Sequence, residues 1–154
     1  MTGDAAFERV YTVTDYYDGP REGIADFRGQ PHRYLSVGWR TPAWVSGDER
    51  FELRSLSPDA LVLELEHWAI WRRWEQAFHV GRTDNSTHPA LPADRARFEA
   101  IAAELARVHE PDTALVYIAV GEFRVVKPLP DLPPGVVRPL EVRWCSVAPG
   151  QRAV

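Results

Sequence analysis

Apolar and polar positions alternate in the first and last thirds of the chain and follow a helical period between them. Alternation governs the first stretch: Phe7 to Tyr17 is rich in Val, Thr and Tyr and reads as a strand with Tyr11, Val13 and Tyr17 on one face. DGPREG, with Gly19, Pro20 and Gly23, then turns the chain into Gly23–Arg28, RGQP turns it again into His32–Trp39, and TPAWVSGDE is a loop before Arg50–Leu56. In that last strand Phe51 and Leu53 alternate against Glu52 and Arg54. Four strands on short connections predict an antiparallel meander, solvated on one face.

A helical period follows. Ser57 is a good N-cap, Pro58 suits the first helical position, Asp59 complements the positive end, and Gly81 is a stop with His79 in the last turn. At 100° per residue His67, Ile70, Trp71, Trp74, Ala77 and Phe78 share one broad face, while Trp68 projects with Leu61 and Leu65, so protein is expected on two sides. Beyond the polar loop GRTDNSTHPAL, Pro92 to His109 places Phe98, Ile101, Ala102, Leu105 and Val108 on one stripe, which Pro111 ends. Alternation then returns in Ala114–Lys127, with a bulge or turn expected at Gly121, and in Val136–Val147, with Leu140, Val142 and Trp144 facing one way. The proline-rich PLPDLPPG joins these two. The expected fold is α+β in a single domain, residues 1–154 with loose ends at 1–6 and 148–154: a meander of about four strands, a helical hairpin and a C-terminal β-hairpin, the sheet packed on the tryptophan-rich helix.

Composition narrows the function classes. With 154 residues, 45% of them hydrophobic, the chain is long enough for a real core, and a formal charge of −4 argues against nucleic acid as the main partner. Lys127 is the only lysine and sits in VVKPLP, which excludes a phosphate-binding P-loop. Cys145 stands alone, so neither an intrachain disulfide nor a cysteine-based zinc cluster can form, and it reads as a small buried hydrophobe. There is no G-x-S-x-G elbow, no G-x-G-x-x-G and no H-E-x-x-H. The first residues lack a signal-peptide pattern, and the longest apolar run, ALVYIAVG, is far short of the ~20 residues that cross a bilayer, which points to a cytoplasmic protein without membrane contact.

The runs YYDGPREGIADFRGQPHRY, FELRSL and EHWAIWRRWEQAF resemble a set of small uncharacterised bacterial proteins, from the meander through the tryptophan helix towards the second helix. The resemblance implies no activity, cofactor or catalytic residue.

Four groups carry candidate chemistry. Glu64 and His67 have the Glu-x-x-His spacing of di-iron carboxylate bundles, but those sites need the pair twice, and Glu104 and His109 in the second helix are wrongly spaced; a histidine hydrogen-bonded within the core is the plainer reading, and no metal or cofactor is expected. Asp15, Asp18, Glu22, Asp26 and His32 fall near one another in the hairpins, where carboxylates and an imidazole can bind a cation or activate water, although turn aspartates need no chemistry. Arg72 and Arg73 could read a carboxylate or phosphate, or make ordinary surface ion pairs with neighbours such as Glu75. Trp39 and Trp44, with Tyr16, Tyr17 and Tyr34, could line an aromatic groove, and Trp44, in a loop between Pro42 and Gly47, is the hardest to explain by core packing. The leading expectation is a non-enzymatic binding or regulatory module, of immunity or partner type, for another protein. The competing readings are a small hydrolase or ligand-binding enzyme built on the Asp15/Asp26/His32 or Glu64/His67 groups, and nucleic-acid binding through Arg72 and Arg73.

Overall fold

A computed structural model of the chain describes residues 5–37, 49–108, 115–132 and 138–149. Among them six strands, β1 (Glu8–Tyr16), β2 (Pro20–Phe27), β3 (Gln30–Ser36), β4 (Arg50–Ser55), β5 (Val116–Val125) and β6 (Leu140–Pro149), close into an antiparallel barrel in the order β1-β2-β3-β4-β5-β6. Two helices, α1 (Pro58–His79) and α2 (Arg95–Arg107), stand between β4 and β5 in sequence. The strands belong to one compact unit and the helices to another.

The open meander with a separate C-terminal hairpin, its sheet packed on α1, is therefore corrected to a closed barrel. β5 pairs with β4, Phe51 opposite Ala119, and β6 returns to β1 through Glu8 opposite Val142 and Arg9 opposite Glu141. The reason lies in the inward residues. Ala25, Phe27, Tyr34, Phe51, Leu53, Ala119, Val142 and Trp144 form one buried cluster, so the sheet's apolar face is covered by the sheet itself. Closure also pairs strand edges that an open sheet leaves bare.

The barrel fills by setting large rings opposite small partners. Tyr34 lies opposite Gly23, Phe51 opposite Ala119 and Trp144 opposite Gly121. A Cβ on Gly121 would stand 2.7 Å from Trp144 Cζ3 and 2.9 Å from the Phe51 ring, and one on Gly23 would stand 2.1 Å from the Thr12 carbonyl oxygen. β5 runs on through Gly121, which makes room for these rings, and the expected bulge falls just before it, where the β5–β6 register shifts between Ile118 and Val120; Gly23 lies inside β2 instead of in the turn. The polar ends of the rings are satisfied: the Tyr34 hydroxyl donates to the Thr12 carbonyl at 2.8 Å and the Trp144 indole to the Asp26 carbonyl at 2.9 Å. On β1 the fully buried residue is Thr12, whose hydroxyl accepts from the Ile24 amide at 2.9 Å, while Tyr11 and Val13, expected to share one face with Tyr17, are half-buried and Tyr17 is exposed. Bulges in the β1–β2 pairing on both sides of Thr12 and Val13 break the simple alternation that expectation relied on.

α1 begins as its sequence dictates, with the Ser57 hydroxyl accepting from the Ala60 amide at 3.2 Å. Its end is closed by Gly81, at φ 75°, while the amides of Val80 and Arg82 bond back to the carbonyls of Gln76 and Ala77. Ile70, Ala90 and Ile101 form the buried contact of the helical unit, with Leu63, Phe98 and Leu105 packed against it. Two forks staple the helices at their polar margins: Arg73 reaches both Asp94 oxygens at 3.0 and 2.9 Å, and Arg97 both Glu66 oxygens at 2.6 and 2.7 Å. Asp94 precedes α2 at the N-cap position, yet its carboxylate is spent on Arg73 and does not cap the helix.

Trp71 does not continue the Trp74 stripe. It meets Trp68 at 5.2 Å, with the Arg72 guanidinium near both rings, while Trp74 is buried separately, its indole donating to Thr87 Oγ1 at 2.9 Å. Trp71 lies close to the boundary between the two faces, so a small rotation of the stripe assigns it to Trp68's side.

Candidate functional site

Strand register decides the fate of the Asp/His cluster. His32 lies opposite Ala25, whose side chain is in the barrel core, whereas Asp26, the next residue along β2, turns outward. His32 is buried, its Nδ1 2.8 Å from the Gln30 carbonyl oxygen and its ring edge-on to Phe27 at 5.1 Å. Asp26 accepts from the Tyr11 hydroxyl at 3.0 Å, and Arg9 covers the Tyr11 ring. Burial, with the Asp26 carboxylate as second cause, raises the Tyr11 hydroxyl above the ordinary tyrosine range. Asp15 lies opposite Glu22, four residues up β2 from Asp26, which is roughly 13 Å of strand. The structure therefore does not bring Asp15, Asp26 and His32 together. No group of three or more His, Cys, Asp or Glu side chains able to hold a metal ion occurs among the described residues.

On α1, His67 stacks on Phe98 of α2 at 4.1 Å and 22°. Burial lowers its pKa below the ordinary 6.5, against the opposing pull of Glu64, so the ring is neutral at neutral pH. A neutral imidazole flat on a phenyl ring serves as packing surface for the helix pair. Arg72 donates to Glu75 at 2.6 Å and Arg73 is held by Asp94, so the expected pair of anion-reading guanidinium groups divides between two internal carboxylates. Hydrogen bonding to these arginines, Arg73 on Asp94 and Arg97 on Glu66, holds both carboxyl groups below their usual range.

The aromatic groove is only partly testable by position: Trp39 and Trp44 lie outside the described residues. Of its other members, Tyr34 is sealed in the barrel, where burial raises its hydroxyl far above the tyrosine range. Tyr16 and Tyr17 stand at the opposite extreme. They sit where β1 turns into β2 and are 68% and 79% exposed. The turn beneath them is pinned: Tyr17 N–H donates to the Gly19 carbonyl at 3.0 Å, Arg21 Nε donates to the Tyr17 carbonyl at 2.6 Å, and Asp18 takes the left-handed conformation at φ 54°. Arg21 is in turn paired with Glu49, which also accepts from Ser36 at 2.7 Å.

Register extends this tip into a row. Asp15, Glu22, Leu35 and Glu52 are successive partners across β1, β2, β3 and β4, on the outer face opposite Tyr34 and Phe51. Leu35 is exposed within that row, and Glu52 pairs with Arg54 at 2.5 Å. Two bare phenol rings thus stand beside an acidic strip with one exposed leucine. Sequence reading placed Tyr16 and Tyr17 with Tyr34; a strand pattern at a turn does not say which side of the sheet a ring takes.

Comparison with protein-family models, curated proteins and solved structures finds no match for this chain. Among the described residues no helix is long and apolar enough to cross a membrane.

Proposed function

We propose that this protein is a binding module for another protein and that the β1–β2 tip is its contact surface. The observation that carries the reading is the pair Tyr16 and Tyr17, 68% and 79% exposed on a turn fixed by Arg21 and Glu49. Tyrosine offers a large, amphipathic contact area with few torsions to freeze, and such residues dominate binding energy at protein interfaces. A turn held rigid before binding loses little conformational entropy when the partner arrives. Asp15 and Glu22 pair across β1 and β2 next to the tip, Asp18 lies in the turn itself, and the whole chain carries a formal charge of −4, so the complementary partner surface is basic.

The test is retention of a partner from native cell extract by untagged protein, compared with a Tyr16→Ser/Tyr17→Ser variant. A stoichiometric protein held by the parent, released by the double variant and weakened by salt supports the reading. Truncating two such rings is expected to weaken binding at least about tenfold. Retention that is the same for both proteins contradicts it. Both substitutions lie on exposed side chains, so the melting temperature serves as the control for folding.

A further inference from the structure

The helical unit carries a second feature, unrelated to the tyrosine tip. Beside the last turns of α1, the segment that follows Gly81 comes back towards the helix and leaves an open groove of about 500 Å³. Its walls are Ala77, Val80 and Leu91 on the apolar side and Arg73, Gln76 and Arg82 on the polar side. The volume falls within the range of small-molecule sites, roughly 300–1,000 Å³.

Three features make the groove a built one. Its outer segment is fixed: the Trp74 indole holds Thr87, Arg95 donates to the Thr87 carbonyl at 2.8 Å, and Asp84 accepts from the Ser86 amide at 2.9 Å. The carbonyls of Gln76, Ala77 and Phe78, which would repel an anion at this helix end, are already occupied by the amides of Val80, Arg82 and Gly81. The charged side chains that line the groove are both guanidinium groups, Arg73 and Arg82. Arg73 is oriented by Asp94 through Nε and one terminal nitrogen, which leaves its other terminal nitrogen available, and the Arg82 side chain has no carboxylate partner among the described residues. Among the described residues no acidic side chain lines the groove.

From this placement we infer that the groove binds a small aliphatic carboxylate, its anionic end on the Arg82 and Arg73 guanidinium groups and its hydrocarbon chain along Ala77, Val80 and Leu91. Guanidinium suits a carboxylate because its planar donors match the two oxygens, and the aliphatic wall discriminates against a bare inorganic anion. Arg73 keeps its Asp94 fork throughout, so ligand binding leaves the α1–α2 staple intact.

Titration of isotopically labelled full-length protein with sodium hexanoate, followed by amide and methyl NMR, tests the assignment. The expected result is saturable shifts centred on Ala77, Val80, Arg82 and Leu91, with hexanol and inorganic phosphate each binding at least about tenfold more weakly. Arg82→Met retains the aliphatic stem, removes no side-chain hydrogen bond or ion pair found among the described residues, and should weaken hexanoate at least about tenfold. Shifts that do not saturate, an unchanged affinity in Arg82→Met, or phosphate binding as well as hexanoate would each overturn the inference. Tyr16 and Tyr17 take no part, so the Tyr16→Ser/Tyr17→Ser protein should bind hexanoate as the parent does; the two readings fail independently.

Discussion

Inside the barrel, Tyr34, Phe51, Phe123 and Trp144 meet ring to ring at centroid distances of 5.3 to 6.2 Å, every pair in contact. Between α1 and α2 the buried apolar contact is Ile70, Ala90 and Ile101, and the margins are closed by two Arg–carboxylate forks. The first region excludes water with large side chains drawn from strands far apart in sequence. The second relies on a narrow apolar seam and on charged pairs that solvent still reaches, and such exposed pairs contribute only about 0–1 kcal/mol each. The contrast explains where binding features can sit. A barrel filled with its own rings carries its binding feature at a turn, where β1 passes into β2 at Tyr16 and Tyr17; a thinly sealed helix pair leaves a groove between a helix end and its returning segment.

Cutting the two cores gives the largest expected effects. Phe51→Ala should destabilise the protein by about 3–5 kcal/mol and Ile101→Ala by about 2 kcal/mol, the low end for such a truncation, both read from urea unfolding. An Ile101→Ala cost above that of Phe51→Ala would invert the comparison. Glycine separates the regions next. Gly121→Ala forces a Cβ between Trp144 and Phe51 and should cost about 1–3 kcal/mol. Gly81→Ala meets open space but a φ of 75°, and should cost about 1–2 kcal/mol. Asparagine, which tolerates that backbone, should recover part of the loss at position 81 and none at 121. Breaking one fork with Asp94→Asn should cost at most about 1 kcal/mol at neutral pH, and the difference should shrink at high salt.

The smallest effect is a pH slope. Because burial lowers the His67 pKa in the folded protein, the unfolded chain binds the proton first as pH falls below 6.5, and the ring's contribution is lost from there downward. Glu64 opposes this shift without reversing it. In His67→Phe, which retains the stack on Phe98, stability should decline less between pH 7 and 5 than in the parent; an equal decline would remove His67 as the cause.

Much of this was legible in the residues. Ser57, Pro58 and Gly81 marked α1, and strand composition, turn residues and alternation together marked the six strands, because caps, turns and periodicity are local properties. What burial is against is not local. Phe51 and Leu53 announce a buried face, yet a helix or the sheet's own far side would satisfy them equally, and only register chooses. Gly121 read as a bulge or turn, and the register does shift just before it, between Ile118 and Val120, but the space it leaves for the Trp144 indole is a property of another strand. The Asp15, Asp26 and His32 grouping comes apart for a related reason: a one-residue step separates Ala25, facing in with His32, from Asp26, facing out, and nothing in that stretch of sequence fixes the step. The forks Arg73–Asp94 and Arg97–Glu66 join residues far apart in sequence, and charge spacing along a single helix cannot reveal them.

Amide hydrogen exchange under native conditions tests the contrast between the two regions most directly. The amides of Tyr34, Phe51 and Leu53 should exchange slowest, only through global unfolding, while those of Ile70 and Ile101 should open earlier, at lower free energy. Helical amides protected as strongly as the strands, or barrel amides exchanging first, would contradict it.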